Sequence, residues 1–275
     1  MLGAPIHHHL DLTGQNILTY ASWALTFVLL GVAVRMGRRE RTPFYVLVVL
    51  ASMVAAFAEP LYDEAFSLYF YSTHGMQTFF TAFGIPQPVW THSGYAVLYA
   101  APALYITRKI RLGAFKPADL YALAGVELAM SCVFEITGIN IGTYTYWGPH
   151  VLRIFHYPIV IGVLEAAQVM CFSVAAAQLR RRARNWWDLF ALFVIFPVTF
   201  FAANFGAGAA VIIGIHAQHT TRLVVYLTTV LSIGCAVALI RLAASFVPTA
   251  APVDARRPEI ASAPVPGRVA GGTPA

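Results

Sequence analysis

The sequence predicts an all-α fold, a polytopic membrane helical bundle of about seven transmembrane helices, and three observations carry that reading. Hydrophobic residues fill 59% of the 275 positions and charged residues only 11%, with a mean hydropathy of +0.67, far from the mix of soluble globular domains. Seven apolar segments approach the roughly 20 residues that a helix needs to cross a bilayer. The cations gather on alternate connections between those segments, as orientation in a membrane requires.

The segments run at about 17 to 35, 44 to 62, 93 to 107, 118 to 137, 155 to 178, 187 to 206 and 223 to 246. Before them, residues 1 to 16 form a short polar segment, expected outside, without a cleavable leader pattern. The first span ends at Arg35, Arg38, Arg39 and Arg41, and the third at Arg108, Lys109, Arg111 and Lys116. Arg180, Arg181, Arg182 and Arg184 follow the fifth, and Arg241, Arg256, Arg257 and Arg268 the seventh. Sixteen of the 18 Lys and Arg thus fall on one side, leaving Arg153 and Arg222 on the other. The positive-inside rule then sets the N terminus outside and the C terminus in the cytoplasm, in what is expected to be the bacterial cytoplasmic membrane. The net charge of +6 is an orientation signal, and no nucleic-acid partner is expected. Residues 17 to 246 form the membrane domain. The stretch 247 to 275, rich in Pro, Ala and Gly, is expected to be a disordered cytoplasmic tail.

Against this apolar background the acids stand out. The stretch AFAEPLYDEAF places Glu59 in the outer half of the second span, with Asp63 one turn on and on the same face. Glu64 points elsewhere and reads as an interface residue. Glu127 and Glu135 share the fourth span, roughly 80° apart around the helix, with Ser131 between them. Glu165 lies near the middle of the fifth span, followed by Gln168, and Asn204 reaches the outer half of the sixth. An acid at membrane depth costs on the order of 3 kcal/mol, and such acids face a bundle interior or a watery cavity. Carboxylates sharing a low-dielectric site cannot all ionise, so one of them is expected to hold a proton as a general acid. Pro60 removes a backbone donor beside Glu59 and predicts a kink.

Other chemistries find less support. Cys132, Cys171 and Cys235 lie far apart inside apolar runs and offer neither a disulfide framework nor a CxxC motif. The nine histidines fall on the outer side or in the outer half, and only His216 and His219 have ligand-like spacing, which is too few for a metal site. No metal and no cofactor are expected. A retinal-binding sensor is excluded because the seventh span lacks a lysine for the Schiff base. Tyr144, Tyr146 and Trp147 lie just past the fourth span, where two readings fit: an interfacial aromatic belt, or a cavity wall that stabilises a cationic transition state. The connection from 66 to 92, also aromatic, is expected to lie on the membrane surface or to cap a cavity.

Two blocks, AEPLYDEAFSLYFY with FFTAFGIPQPVWTHSGY, and FEITGINIGTYTYWGP, resemble the spirocyclase AveC-like family over about a third of the chain. The second is also similar to the ExxGxxxGxYxY pattern of membrane carotenoid hydratases, and the small acid-bearing bundle to membrane terpene cyclases. The resemblance implies acid-driven chemistry on a lipophilic small molecule: closure of a dihydroxy-ketone to a spiroketal with loss of water, or a related cyclisation, dehydration or hydration. On that reading Glu59 and Asp63 are an acid and base pair and Glu135 a second catalytic carboxylate. Glu127, Tyr144, Tyr146, Trp147, Glu165 and Asn204 contact substrate. The expected partners are that substrate and membrane lipids. The alternative is a proton-coupled transporter or lipid-binding protein, in which the same acids relay protons.

Overall fold

The computed structural model describes residues 4–248, so beyond Pro248 the expected tail lies outside the described residues. The chain is mostly helical. Among the described residues six helices are long and apolar enough to cross a membrane: Leu12–Glu40, Phe44–Phe66, Pro117–Asn140, Ile159–Arg182, Trp187–Ala207 and Arg222–Ser245. The third expected span, 93 to 107, is also helical but is not among the six. It lies in a run formed by α4 (Trp90–Tyr95), a π turn (Ala96–Ala100) and α5 (Ala101–Arg111). His92, Tyr95, Tyr99 and the terminal cations make this run more polar than the others.

The first helix is apolar outside and small or polar inside, the reverse of a soluble bundle, while α2 (Phe44–Ala55) and α7 (Ile159–Arg182) bury large hydrophobic side chains. Helix α1 (Leu12–Glu40) buries Gly14, Gln15, Thr19, Ser22 and Thr26 while exposing Ile17, Leu25, Phe27 and Val28. Asp11 caps it, its carboxylate accepting from the N–H groups of Thr13 and Gly14 at 2.8 and 3.1 Å. Helix α2 (Phe44–Ala55) passes through a 3-10 turn (Ala56–Ala58) into α3 (Glu59–Phe66). Pro60 has no N–H to offer, and the Glu59 N–H instead bonds back to Ala56 O, tightening the helix where the sequence predicts a kink. Helices α6 (Pro117–Asn140) and α7 (Ile159–Arg182) pack side by side, and α7 is the central helix, touching α5, α6, α8 (Leu192–Phe200) and α10 (Arg222–Ser245). Between α8 and α10, a π turn (Phe201–Ala207) leads into the short α9 (Ala209–His216).

One end of the bundle is basic and tied by ions. Glu40 accepts from Arg111 at 2.6 Å and from Arg180 at 2.5 Å, while Arg180 also donates to Tyr45 Oη at 2.6 Å and lies over the Phe44 and Tyr45 rings. Two cations of the orientation signal therefore also lock α1, α2, α5 and α7 together. Among the described residues the opposite end carries six short strands in three antiparallel pairs. Strand β1 (Leu68–Phe70) pairs with β4 (Tyr144–Tyr146), Leu68 opposite Tyr146 and Phe70 opposite Tyr144. Strands β2 (Thr78–Ala82) and β3 (Ile85–Pro88) form a hairpin whose two-residue turn, Phe83 and Gly84, has positive φ at both positions, matching a type I′ turn. Strands β5 (Arg153–Ile154) and β6 (Tyr157–Pro158) close the set.

Candidate active site

The β1–β4 pair joins the two acidic blocks, which are some 80 residues apart in the chain. Because strand side chains alternate, Leu68 and Phe70 on β1 and Tyr144 and Tyr146 on β4 share one face, and all four line a single internal cavity. Glu59 and Tyr62 of α3, Trp90 and Tyr95 of α4, Leu98 and Tyr99 of the π turn, Phe134 and Glu135 of α6 and Glu165 of α7 complete its wall. The free volume is only about 30 Å³, room for about two water molecules. It is a narrow crevice, three carboxyl groups among aromatic rings.

Each of those carboxyl groups accepts a tyrosine hydroxyl. Tyr95 donates to Glu59 Oε2 at 2.5 Å, and Tyr146 to Glu135 Oε2 at 3.0 Å. Glu165 takes Tyr157 on Oε2 at 3.2 Å and Tyr99 on Oε1 at 3.5 Å, and Ser131 also donates to its Oε2. The Ser131 and Tyr157 hydroxyls are themselves 2.9 Å apart, so two helices and a strand converge on one oxygen. Burial, and after it the Glu135 charge, hold the Tyr146 phenol well above its ordinary value of 10.0. Tyr146 therefore stays a donor at any working pH.

The structure thus brings Glu59, Glu135, Glu165, Tyr144 and Tyr146 to one wall, while the remaining expected site residues stand behind or away from it. Asp63 is fully buried, but Gln87 Nε2 donates to its Oδ2 at 2.6 Å, on the side of the β3 strand rather than in the cavity. Glu64 is exposed, in keeping with its expected position. Glu127 is buried with neither oxygen partnered, and Gln168 is likewise unpartnered. Asn204 spends its Nδ2 on Phe200 O, at 3.1 Å within its own helix. Trp147 is half-buried, and its backbone N–H continues the β1–β4 ladder by donating to Ser67 O at 2.9 Å. Tyr144 and Tyr146, placed by the sequence just beyond the fourth span, fold back and are about 1% exposed. Among the described residues no group of three or more His, Cys, Asp or Glu could hold a metal ion.

Sequence reasoning missed Tyr95, Tyr99, Tyr157 and Gln87. Tyr95 and Tyr99 sit one helical turn apart in an apolar run, a signal that periodicity offers. Gln87 and Tyr157 come from short strands and gave no such signal.

The lid over the site is held by two side chains of the 144 to 158 connection. Arg153 donates to the carbonyls of Tyr146, Gly148 and His150 at 2.8, 2.5 and 3.2 Å, knotting the loop that follows Tyr146. His150 Nε2 donates to Phe66 O at 2.8 Å, tying that loop to the end of α3. Burial first, then the Arg153 charge among other causes, pushes the His150 imidazole down to about 4 from 6.5. A depressed imidazole is neutral in the folded protein, so the unfolded chain takes up the extra proton as pH falls. Its contribution is complete above pH 6.5 and is lost between about pH 6.5 and 4, on the order of 3 kcal/mol at most. Thermal unfolding in detergent is expected to show a steeper loss of stability over that window for the natural chain than for His150→Asn, which keeps a donor but cannot titrate. Equal slopes for the two proteins would refute the role.

Comparison of the chain with protein families, with curated proteins and with solved structures found no match.

Proposed function

We propose that the chain is a seven-span membrane enzyme that performs acid and base chemistry on a lipophilic substrate, and that its site lies in the outer half of the bilayer. The observation that carries this reading is the narrow aromatic crevice lined by Glu59, Glu135 and Glu165, each holding a tyrosine hydroxyl. The seventh span is the run Trp90–Tyr95 through Ala101–Arg111. Its 22 residues reach about 33 Å at 1.5 Å each, enough for a hydrocarbon core of about 30 Å. With it, the basic end faces the cytoplasm and the strand end faces outward.

In the crevice, Glu59 donates a proton to a substrate oxygen and Glu135 accepts one as the new bond forms, while the rings shield the developing cation from bulk water. For a dihydroxy-ketone, the carbonyl oxygen is protonated and one hydroxyl adds, giving up its proton. The resulting hemiketal hydroxyl takes the proton back from Glu135 and leaves as water, and the second hydroxyl closes the spiroketal as its proton returns to Glu59, so both carboxyl groups end as they began. Related hydrations and dehydrations need the same two groups. This chemistry fits the resemblance to the spirocyclase AveC-like family. Asp63, outside the wall, supports the α3 end through Gln87 rather than touching substrate.

The test is complementation. Lipid extracts of a deletion strain are compared after return of the natural gene, Glu59→Gln or Glu135→Gln. Each variant is expected to reach the membrane in normal amount and to lower product by at least about 100-fold; full product with both would overturn the reading. A proton-coupled transporter is the second reading, and the unpartnered Glu127 and Gln168 deeper in the bundle favour it. Proton-gradient-dependent uptake by liposomes containing the purified protein would establish it instead.

A further inference from the structure

The crevice is narrow, and a groove that shares its wall runs beside it. Along the bundle surface, α1, the π turn and α6 leave an open channel of about 560 Å³, with Leu18, Val97, Leu98, Met130, Val133 and Phe134 among its walls. That volume lies in the range of roughly 300–1,000 Å³ typical of small-molecule sites. No charged residue lines it. The hydroxyl at its edge, that of Thr137, is spent on Val133 O at 2.6 Å. Leu98 and Phe134 line both spaces. Behind Phe134 stands Gly94, where even an added Cβ would remain 3.6 Å from the ring. The two spaces thus share these two side chains as a common wall, with room for a methyl group between Gly94 and the Phe134 ring.

We propose that this groove is the lateral entry from the bilayer for a long-chain lipophile bearing an oxygen function at one end, with Leu98 and Phe134 as the side chains that swing aside. The proposal rests on the acid and base reading of the crevice. Hydrocarbon favours the groove because it offers the chain no polar group to satisfy. The oxygen-bearing end favours the crevice because tyrosine hydroxyls and carboxyl groups line it. At about 30 Å³ the crevice cannot take a whole lipophile. The bulk of the chain remains in the groove while its functional end crosses the wall.

The probe is a long-chain primary alcohol carrying an alkyl diazirine either beside the hydroxyl or at the far end, added to the full chain in phosphatidylcholine nanodiscs, irradiated and mapped by mass spectrometry. The hydroxyl-end probe is expected to label Glu59 or Glu135, and the far-end probe the groove. Filling the groove with Met130→Trp and Val133→Trp, both lipid-facing, should cut labelling of the acids at least tenfold while labelling of Leu227 on α10 stays constant. Phe134→Ala, or Leu98→Ala should that variant fail to fold, should raise labelling of the acids. Acids labelled equally with the groove filled, or unlabelled even with the wall removed, would overturn the entry. Labelling needs no turnover, so groove-dependent labelling together with full product from Glu59→Gln and Glu135→Gln would uphold the entry and reject the enzyme reading.

Discussion

Replacing Glu165 by alanine is expected to destabilise the protein by about 2–4 kcal/mol in detergent unfolding, whereas replacing Glu127 by leucine should leave stability unchanged or raise it by about 1–3 kcal/mol. Both acids are almost wholly buried on neighbouring helices, and an insertion scale charges them alike. Their partners differ. Glu165 accepts from Ser131, Tyr157 and Tyr99, which come from three separate elements. Removing it leaves the Tyr99 hydroxyl without its acceptor and Ser131 and Tyr157 with only each other, as well as a void. Interhelical hydrogen bonds in membranes average only about 0.6 kcal/mol each, so the orphaned groups and the cavity supply most of the loss. Glu127 offers two oxygens that nothing meets, so a leucine of similar size removes a cost and loses no bond. A clear destabilisation by Glu127→Leu would mean that Glu127 and Gln168 share a partner such as ordered water, and would strengthen the transporter reading. Stability of Glu165→Ala equal to that of the natural chain would mean that its network is decorative.

What the sequence made legible follows from how each signal arises. Apolar runs and the spacing of arginines act along the chain, so the helices at Leu12–Glu40 and Ile159–Arg182 could be read from residue type alone. Helical periodicity likewise separated Glu64, exposed, from Glu59, at the cavity. The run from Trp90 is less apolar than the six long helices because Tyr95 and Tyr99, which line the cavity, lie within it. Its π turn shifts every later side chain around the axis, which periodicity cannot anticipate. The neighbourhood of Asp63 was illegible for another reason. Gln87 arrives from a hairpin 24 residues on, and only the fold of that hairpin decides that it meets Asp63 outside the cavity. Tyr144 and Tyr146 looked interfacial because the chain had just left a span. The β1–β4 pairing turns them inward, and no local feature encodes that partner choice.

Gly138→Ala is expected to cost about 3 kcal/mol and to dismantle the same wall from the other side. Gly138 is buried on α6 three residues after Glu135, and a Cβ there would stand 2.4 Å from both Cε1 and Oη of Tyr144. Tyr144 has no room to retreat. Its ring packs against Phe70 and Trp90 at 5.5 and 5.8 Å between centroids, and its strand is fixed by pairing with β1. The spacing from Glu135 through Gly138 and Gly142 to Tyr144 and Tyr146 thus has a steric meaning. Gly138 leaves a slot for the returning ring, and Gly142 makes the turn at φ +73°, a conformation that other residues adopt only at a cost. Forcing the slot shut moves β4, and with β4 goes the 3.0 Å bond from Tyr146 to Glu135. Because the fault is crowding, shortening the ring should relieve it: Tyr144→Leu is expected to cost at least about 1 kcal/mol less in the Gly138→Ala background than in the natural chain. Gly125 on the same helix is the control, since a Cβ there meets nothing within 4 Å and alanine should be neutral or stabilising by up to about 1 kcal/mol. Equal costs at Gly138 and Gly125, or additive behaviour of Gly138→Ala with Tyr144→Leu, would show that the ring does not occupy the slot and that the tyrosine wall of the crevice is assembled differently.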